Sequence, residues 1–168
     1  MMAVTGLIVA QGVDRAFQSI EFEYYDTITE TVASNWATIG IRGRSEPHQY
    51  YDNTGSAIWN FNLVFVAGAG QGSSLTTEDI KRRANFIKAL QYPRYGNPPL
   101  VSPPPRVHIR IGKLLDARGI VKNPNFIYNS PYDNETGLPL KIDVTFTFEI
   151  THNRALGFKD VLDSLPAR

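Results

Sequence analysis

From Lys141 to Ile150 polar and apolar residues alternate without a break. Ile142, Val144, Phe146, Phe148 and Ile150 fall on one side, and Lys141, Asp143, Thr145, Thr147 and Glu149 on the other. A period of two places these sets on opposite faces of a strand, and a one-residue slip would turn every apolar side chain outward. A chain carrying such a strand needs a sheet with one covered face. Two more segments fit the same sheet. Ala57–Ala67 puts Trp59, Phe61, Leu63 and Phe65 on one face, and Ile20, Phe22 and Tyr24 alternate with Ser19, Glu21 and Glu23. Val107, Ile109 and Ile111 alternate with Arg106, His108 and Arg110, and Ala117–Lys122 reads as a further strand.

One segment has helical spacing over several turns. Ile80, Ala84, Ile87 and Leu90 form an apolar stripe, with Lys81, Arg82 and Lys88 off it. Thr76 is placed as N-cap with Asp79 three residues later, Leu75 and Ile80 as a hydrophobic staple, and Pro93 as the stop. The spacing predicts a helix over about 76–91. Tyr92–Pro105 reads as an extended proline-rich connector. Asn123–Leu138, with its Asn-Pro and Thr-Gly dipeptides, reads as loop. Asn35–Tyr51 reads as a polar loop around a short strand, Ala37–Arg42, broken at Gly43–Pro47. Six or seven alternating strands, one central helix and a short terminal helix predict a mainly β, α+β fold: an antiparallel barrel or sandwich flanked by a helix. The 168 residues fit one domain. An N-terminal strand or arm over 1–16 precedes the β-domain at 17–152. A helical tail at 153–168 follows, with Phe158, Val161, Leu162 and Leu165 on its apolar face.

Composition narrows the function. There is no cysteine, which removes disulfides, thiolate zinc sites and thiol nucleophiles. A net charge of +1 lacks the basic stripe expected of a nucleic-acid module, and no apolar run is long enough to insert in a bilayer. No secretory signal is expected, because no basic residue precedes Ala3–Ala10. The motifs that carry chemistry are weak. Gly68, Gly70 and Gly72 lie between strand and helix, the setting of a phosphate loop, but no Lys-Ser/Thr pair follows. His48, His108 and His152 lack metal-ligand spacing. Glu21 and Glu23 read as a solvated face. Arg106, Arg110, Lys113 and Arg118 read as a solvated face or a small positive patch. No catalytic residue, cofactor or metal site is expected.

In order along the chain, several segments resemble the tube-type proteins of contractile injection systems and the related phage tail hub and baseplate proteins. They are IEFEYYDTITET (Ile20–Thr31), SNWATIGIRGRSEPHQYY (Ser34–Tyr51), the Tyr92-Pro93 helix stop, PPPRV (Pro103–Val107), RGIVKN (Arg118–Asn123) and GLPLKIDVTFTFEI (Gly137–Ile150). The likeness covers most of Phe17–His152. Two features depart from it. DNTGSAIW (Asp52–Trp59) stands where the family has a Gly-rich, charged turn, and no LysM-type module follows, so a wall-binding role is not expected.

The resemblance implies a small β-barrel with a flanking helix, six copies of which form a ring by joining their sheets. It implies a structural virion protein at the distal end of a contractile tail, a baseplate hub or tube initiator. Such a protein seeds the tail tube and meets tube and spike proteins as partners. A repeated tail-tube subunit is the nearest alternative. A nucleotide-binding domain using the Gly68–Gly72 loop, or a carbohydrate-binding one using Trp36, Tyr50 and Tyr51, belongs to other classes. On the ring reading the subunit contacts are Asn35, Trp36, Arg42, Arg44, Tyr50 and Tyr51 in the loop, Trp59 and Phe61 in the long strand, and Phe158 and Leu162 in the tail.

Overall fold

A computed structural model describes residues 5–11, 19–23, 27–43, 45–68, 75–95, 101–152 and 161. The described strands are β1 (Thr5–Ala10), β2 (Ser19–Glu23), β3 (Thr29–Thr31), β4 (Ser34–Ile39), β5 (His48–Thr54) and β6 (Ile58–Val66). After the helix α1 (Thr77–Ala89) come β7 (Arg94–Tyr95), β8 (Val101–Ser102), β9 (Val107–Ile111), β10 (Leu115–Tyr132) and β11 (Pro139–Ile150). Seven strands form one antiparallel sheet in the order β2-β1-β9-β10-β11-β6-β3. The fold is mainly β with one flanking helix, as the alternation predicts.

The sheet is open, where a closed barrel or a sandwich was expected. It curls until β2 comes within 8 Å of β6, and among the described residues no ladder between its end strands closes it. The three residues of β3 pair with Ile58–Asn60 of β6.

The faces follow the sequence period. Ile142, Val144, Phe146, Phe148 and Ile150 of β11 are buried, and the polar residues between them are half-buried. They meet Trp59, Phe61, Leu63 and Phe65 of β6 in one core, with Phe61 stacked on Phe146 at 5.1 Å between ring centroids. On α1 the predicted stripe Ile80, Ala84, Ile87 and Leu90 is the buried one, and the helix lies against β6, β10 and β11. Its N-terminus is capped as its sequence dictates. The Asp79 N–H donates to Thr76 Oγ1 at 3.2 Å, and the Thr76 N–H donates to the Asp79 carboxylate at 3.1 Å.

Three segments differ from expectation. The strand form of the "strand or arm" reading describes residues 5–10. β1 lies inside the sheet between β2 and β9, with Ile8 fully buried. Asn123–Tyr132, expected as loop, continues β10. Both X-Pro dipeptides there sit where the pairing with β11 shifts by one residue, between Lys122 and Asn125 and between Asn129 and Tyr132. A bulge leaves a residue unpaired and so absorbs a proline without a missing ladder bond. Asn123 takes the left-handed conformation (φ 50), which asparagine tolerates, and the Ser130–Pro131 peptide is cis. The Thr136-Gly137 signal does mark a turn, with Gly137 at φ 68 and its N–H donating to the Asp133 carbonyl. Within the proline-rich connector, β7 pairs with β8.

Candidate functional site: an exposed β-ribbon arm

Asn35–Tyr51, expected as a polar loop around a short strand at Ala37–Arg42, is a hairpin: the strand is present but runs Ser34–Ile39, and a second, His48–Thr54, pairs with it. β4 and β5 pair antiparallel from Ser34↔Thr54 to Ile39↔His48. The hairpin is the outward continuation of the β3–β6 pair, whose last register position is Thr31↔Ile58. The Gly55 N–H bridges the two stretches by donating to the Ala33 carbonyl at 2.8 Å. From Thr31 to Ile39 a strand rises about 3.3 Å per residue, so the ribbon reaches about 26 Å beyond the sheet. The turn beyond Ile39 includes Gly43 at φ 90, in the left-handed region that favours glycine.

Neither face of this arm is covered. Among its described residues between Glu30 and Ser56, Ala37 is half-buried and all others are exposed. Trp36 and Tyr51 face each other across the strands, edge to face, with ring centroids 5.6 Å apart. They remain 59% and 51% exposed. The next pair, Ala37↔Tyr50, points to the opposite face, which it shares with Ile39 and His48. Val32 and Ile41 are also exposed. Polar groups on the arm bond among themselves. Asn35 Nδ2 donates to Asn53 Oδ1 at 2.6 Å, Trp36 Nε1 donates to Ser34 Oγ at 3.2 Å, and the Tyr51 hydroxyl meets Thr54 Oγ1 at 2.7 Å.

A two-stranded ribbon with no layer on either side is marginal in water. Clustered aromatics left in solvent mark interaction surfaces. The arm offers both, plus unpaired backbone along its edges.

The ten contact positions expected from sequence are dispersed differently by the fold. Asn35, Trp36, Tyr50 and Tyr51 are brought together on the arm, with Arg42 exposed in its turn. Trp59 and Phe61 are corrections. They are 7% and 2% exposed and pack inward against β11. Their face of β6 is the core face, so they present no surface to a partner. Arg44, Phe158 and Leu162 lie outside the described residues. The sequence reading missed Val32, Ile39 and Ile41 as contact candidates. Their signal was three β-branched residues beside Trp36 in a stretch with no buried partner face.

The chemistry candidates do not converge. Gly70 and Gly72 lie outside the described residues. At the root of their loop the Gly68 N–H donates to the Leu75 carbonyl at 2.9 Å. His108 Nε2 bonds to Asp116 Oδ1 on the sheet's outer face, with Arg110 3.9 Å from the same carboxylate. Part of the basic patch is therefore compensated by its own sheet. Lys122 pairs with Glu149, and Asn129 Nδ2 donates to Asp143 at 2.6 Å. Thr147 Oγ1 donates to Asn60 Oδ1 at 3.1 Å, and Asn60 Nδ2 donates to Thr29 Oγ1 at 3.3 Å. Among the described residues no three His, Asp or Glu side chains cluster as metal ligands. No described helix is long and apolar enough to cross a membrane.

No protein-family model matches the chain. No curated protein matches it either.

Two depressions lie away from the arm. A groove of about 1090 Å³ runs along α1, between its exposed side and the ends of β1 and β2. A smaller one of about 340 Å³ is lined by Thr29, Asn60, Asn62, Thr145 and Thr147 among others.

Proposed function

We propose that this chain is a structural subunit of a phage-type contractile tail, a baseplate hub or tube initiator. It acts by assembling into a six-membered ring that seeds the tail tube and joins it to the spike complex. The observation that carries the reading is the arm, about 26 Å long by strand geometry, with aromatic residues exposed on both faces. An element of this kind gains its stability from a neighbour, and a neighbour in a ring supplies it in every copy. The motif order from Ile20 to Ile150 supports the same family. The two sheet ends support it as well. Among the described residues β2 and β3 are the end strands of the sheet, and natural sheets pair, cover or blunt such ends.

The ring uses Trp36, Tyr50 and Tyr51 as anchors, with Asn35 and Arg42 at the rim of the contact. Trp59 and Phe61 hold the root of the arm from within the core. Contact between one patch on a copy and a different patch on the next closes a ring when the rotation closes. A repeated tube subunit makes the same lateral contacts and differs only in stacking on itself.

Electron microscopy of purified particles and of the assembled tail tests this reading. Single six-fold rings at the distal end of the tail are the expected result. Stacked rings along the tail would reassign the chain to the repeated tube. Rings of another symmetry, or a chain found outside the tail, would refute the proposal.

A further inference from the structure

The arm joins the body through a ladder that changes register twice. Thr31 stands opposite Ile58, Ser34 opposite Thr54, and Trp36 opposite Tyr51. From Thr31 to Trp36 the first strand advances five residues, while from Tyr51 to Ile58 the second advances seven. Both surplus residues therefore sit on the same strand. One is Asp52, between the Asn35↔Asn53 and Trp36↔Tyr51 pairs, and the other lies within residues 55–57. Surplus residues bend a strand and raise its twist.

The shift nearer the body is where the arm is least tied down. On the body side the Ile150 N–H donates to the Ala57 carbonyl at 3.0 Å, and on the arm side the Gly55 N–H donates to the Ala33 carbonyl at 2.8 Å. Between these bonds, Val32 and Ser56 make no hydrogen bond among the described residues. Both are exposed, and their neighbours Ala33, Gly55 and Ala57 are small. No buried side chain of the arm sets the angle at which the ribbon leaves the sheet. Segments with few buried contacts open and move at low free-energy cost.

We propose that this root is a hinge. The free subunit carries the arm as a mobile strap that pivots about Val32 and Ser56, and the strap takes one orientation when a neighbouring copy holds it. The closure rests on the ring reading, whereas the hinge does not. Above the root the ribbon has contacts of its own to keep it together as it swings: the Asn35–Asn53 and Tyr51–Thr54 side-chain bonds and the Trp36–Tyr51 ring pair. Over a reach of about 26 Å, a swing of about 30° carries the far end about 13 Å. Such an arm meets the next copy from a range of approach angles, and the few residues of the hinge absorb the φ/ψ change.

The absence of native cysteine makes spin labelling clean. Gln49→Cys on the arm and Asn125→Cys on β10, both exposed, carry the labels, and Asn85→Cys on α1 with Asn125→Cys is the body control. In the dilute free subunit the arm-to-body distance should spread over about 10 Å or more, against a narrow control. In rings assembled with excess unlabelled protein it should narrow to the width of the control. A free-subunit distribution as narrow as the control would overturn the hinge, and a spread that persists in rings would overturn the closure. Thr38→Cys with Gln49→Cys, a directly opposed pair, should remain strongly dipolar-broadened in the free subunit. Loss of that broadening would show an arm that melts instead of swinging. Deleting Ser56 restores equal stretches on the two sides of the root and should narrow the free-subunit spread about twofold. Gly55→Val repeats this measurement should the deletion fail to fold. A Cβ there lies 3.5 Å from the Ala33 carbonyl oxygen, an ordinary contact, and a β-branched side chain restricts the chain at that point. An unchanged spread in the folded variant would refute the root as the hinge. A protein that forms no rings removes the ring reading, while the free-subunit distances still decide the hinge.

Discussion

Truncating Trp36 separates an assembly role from a folding role. In the isolated subunit Trp36 is 59% exposed and its main ring contact is Tyr51. An aromatic pair of this kind contributes about 0.5–1.5 kcal/mol, so Trp36→Ala should cost the subunit no more than about 1.5 kcal/mol. At about 2–4 °C per kcal/mol for a domain of this size, Tm falls by no more than about 6 °C. At an interface the same residue type is a typical anchor, where truncation costs about 2 kcal/mol or more. At about 1.4 kcal/mol per tenfold, each contact in the ring then weakens about 30-fold. Phe61→Ala is the opposite control. Phe61 is 2% exposed and stacks on Phe146, and removing a buried Phe costs about 3–5 kcal/mol. The subunit should lose about 6–20 °C in Tm. Sedimentation velocity over a concentration series reads assembly, and thermal unfolding at a concentration where subunits are dissociated reads stability. Ring formation unchanged in Trp36→Ala would refute the arm as the contact. A Tm loss as large as that of Phe61→Ala would show that the arm belongs to the folded core.

Gly119→Ala should destabilise by about 1–3 kcal/mol or more through overpacking. A Cβ there would lie 2.1 Å from the Glu149 carbonyl oxygen and 2.8 Å from the Phe148 ring, and urea unfolding with an unchanged midpoint would contradict the strand register. Ile8→Ala should cost about 2–5 kcal/mol, because β1 is an interior strand; a loss under 1 kcal/mol would mean that the N-terminal segment is an appendage after all. The Asp79 carboxyl is held below its ordinary value of 3.8 by the Thr76 hydroxyl and then the Thr76 N–H, and Asp133 by the Thr136 hydroxyl and then the Glu135 N–H. Because both folded values are depressed, the stabilisation is present above about pH 4 and fades as pH falls through the lowered values. Replacing both with Asn should flatten the loss of stability below pH 4, measured as urea midpoint against pH, and an unchanged slope would refute these bonds as its source.

Local pattern made the helix legible. Thr76 and Asp79 face each other across the first turn whatever lies around them, and the stripe from Ile80 to Leu90 has one geometry that buries it. The same holds for β11, where alternation allows one register with the apolar set inside. The arm was illegible for the opposite reason. Between Val32 and Tyr51 polar and apolar residues share both faces, so the sequence announced one short strand, Ala37–Arg42, but neither its partner His48–Thr54 nor their pairing. Four of the positions expected as contacts, Asn35, Trp36, Tyr50 and Tyr51, lie on the arm with their side chains exposed. Trp59 and Phe61 were misassigned because an apolar strand face looks the same whether it meets a core or a partner.

Sequence alone determined which residues share a face, where the helix begins, and that the chain is mainly β. Tertiary structure decided which neighbour each face meets. It set β1 between β2 and β9, carried β10 through two prolines by bulges, and extended the β3–β6 pair into a ribbon beyond the core. Alternation is a property of neighbouring residues, whereas strand order and the reach of an arm depend on pairings between residues far apart in the chain. Those pairings are chosen by the packing of the whole sheet, and no local spacing records them.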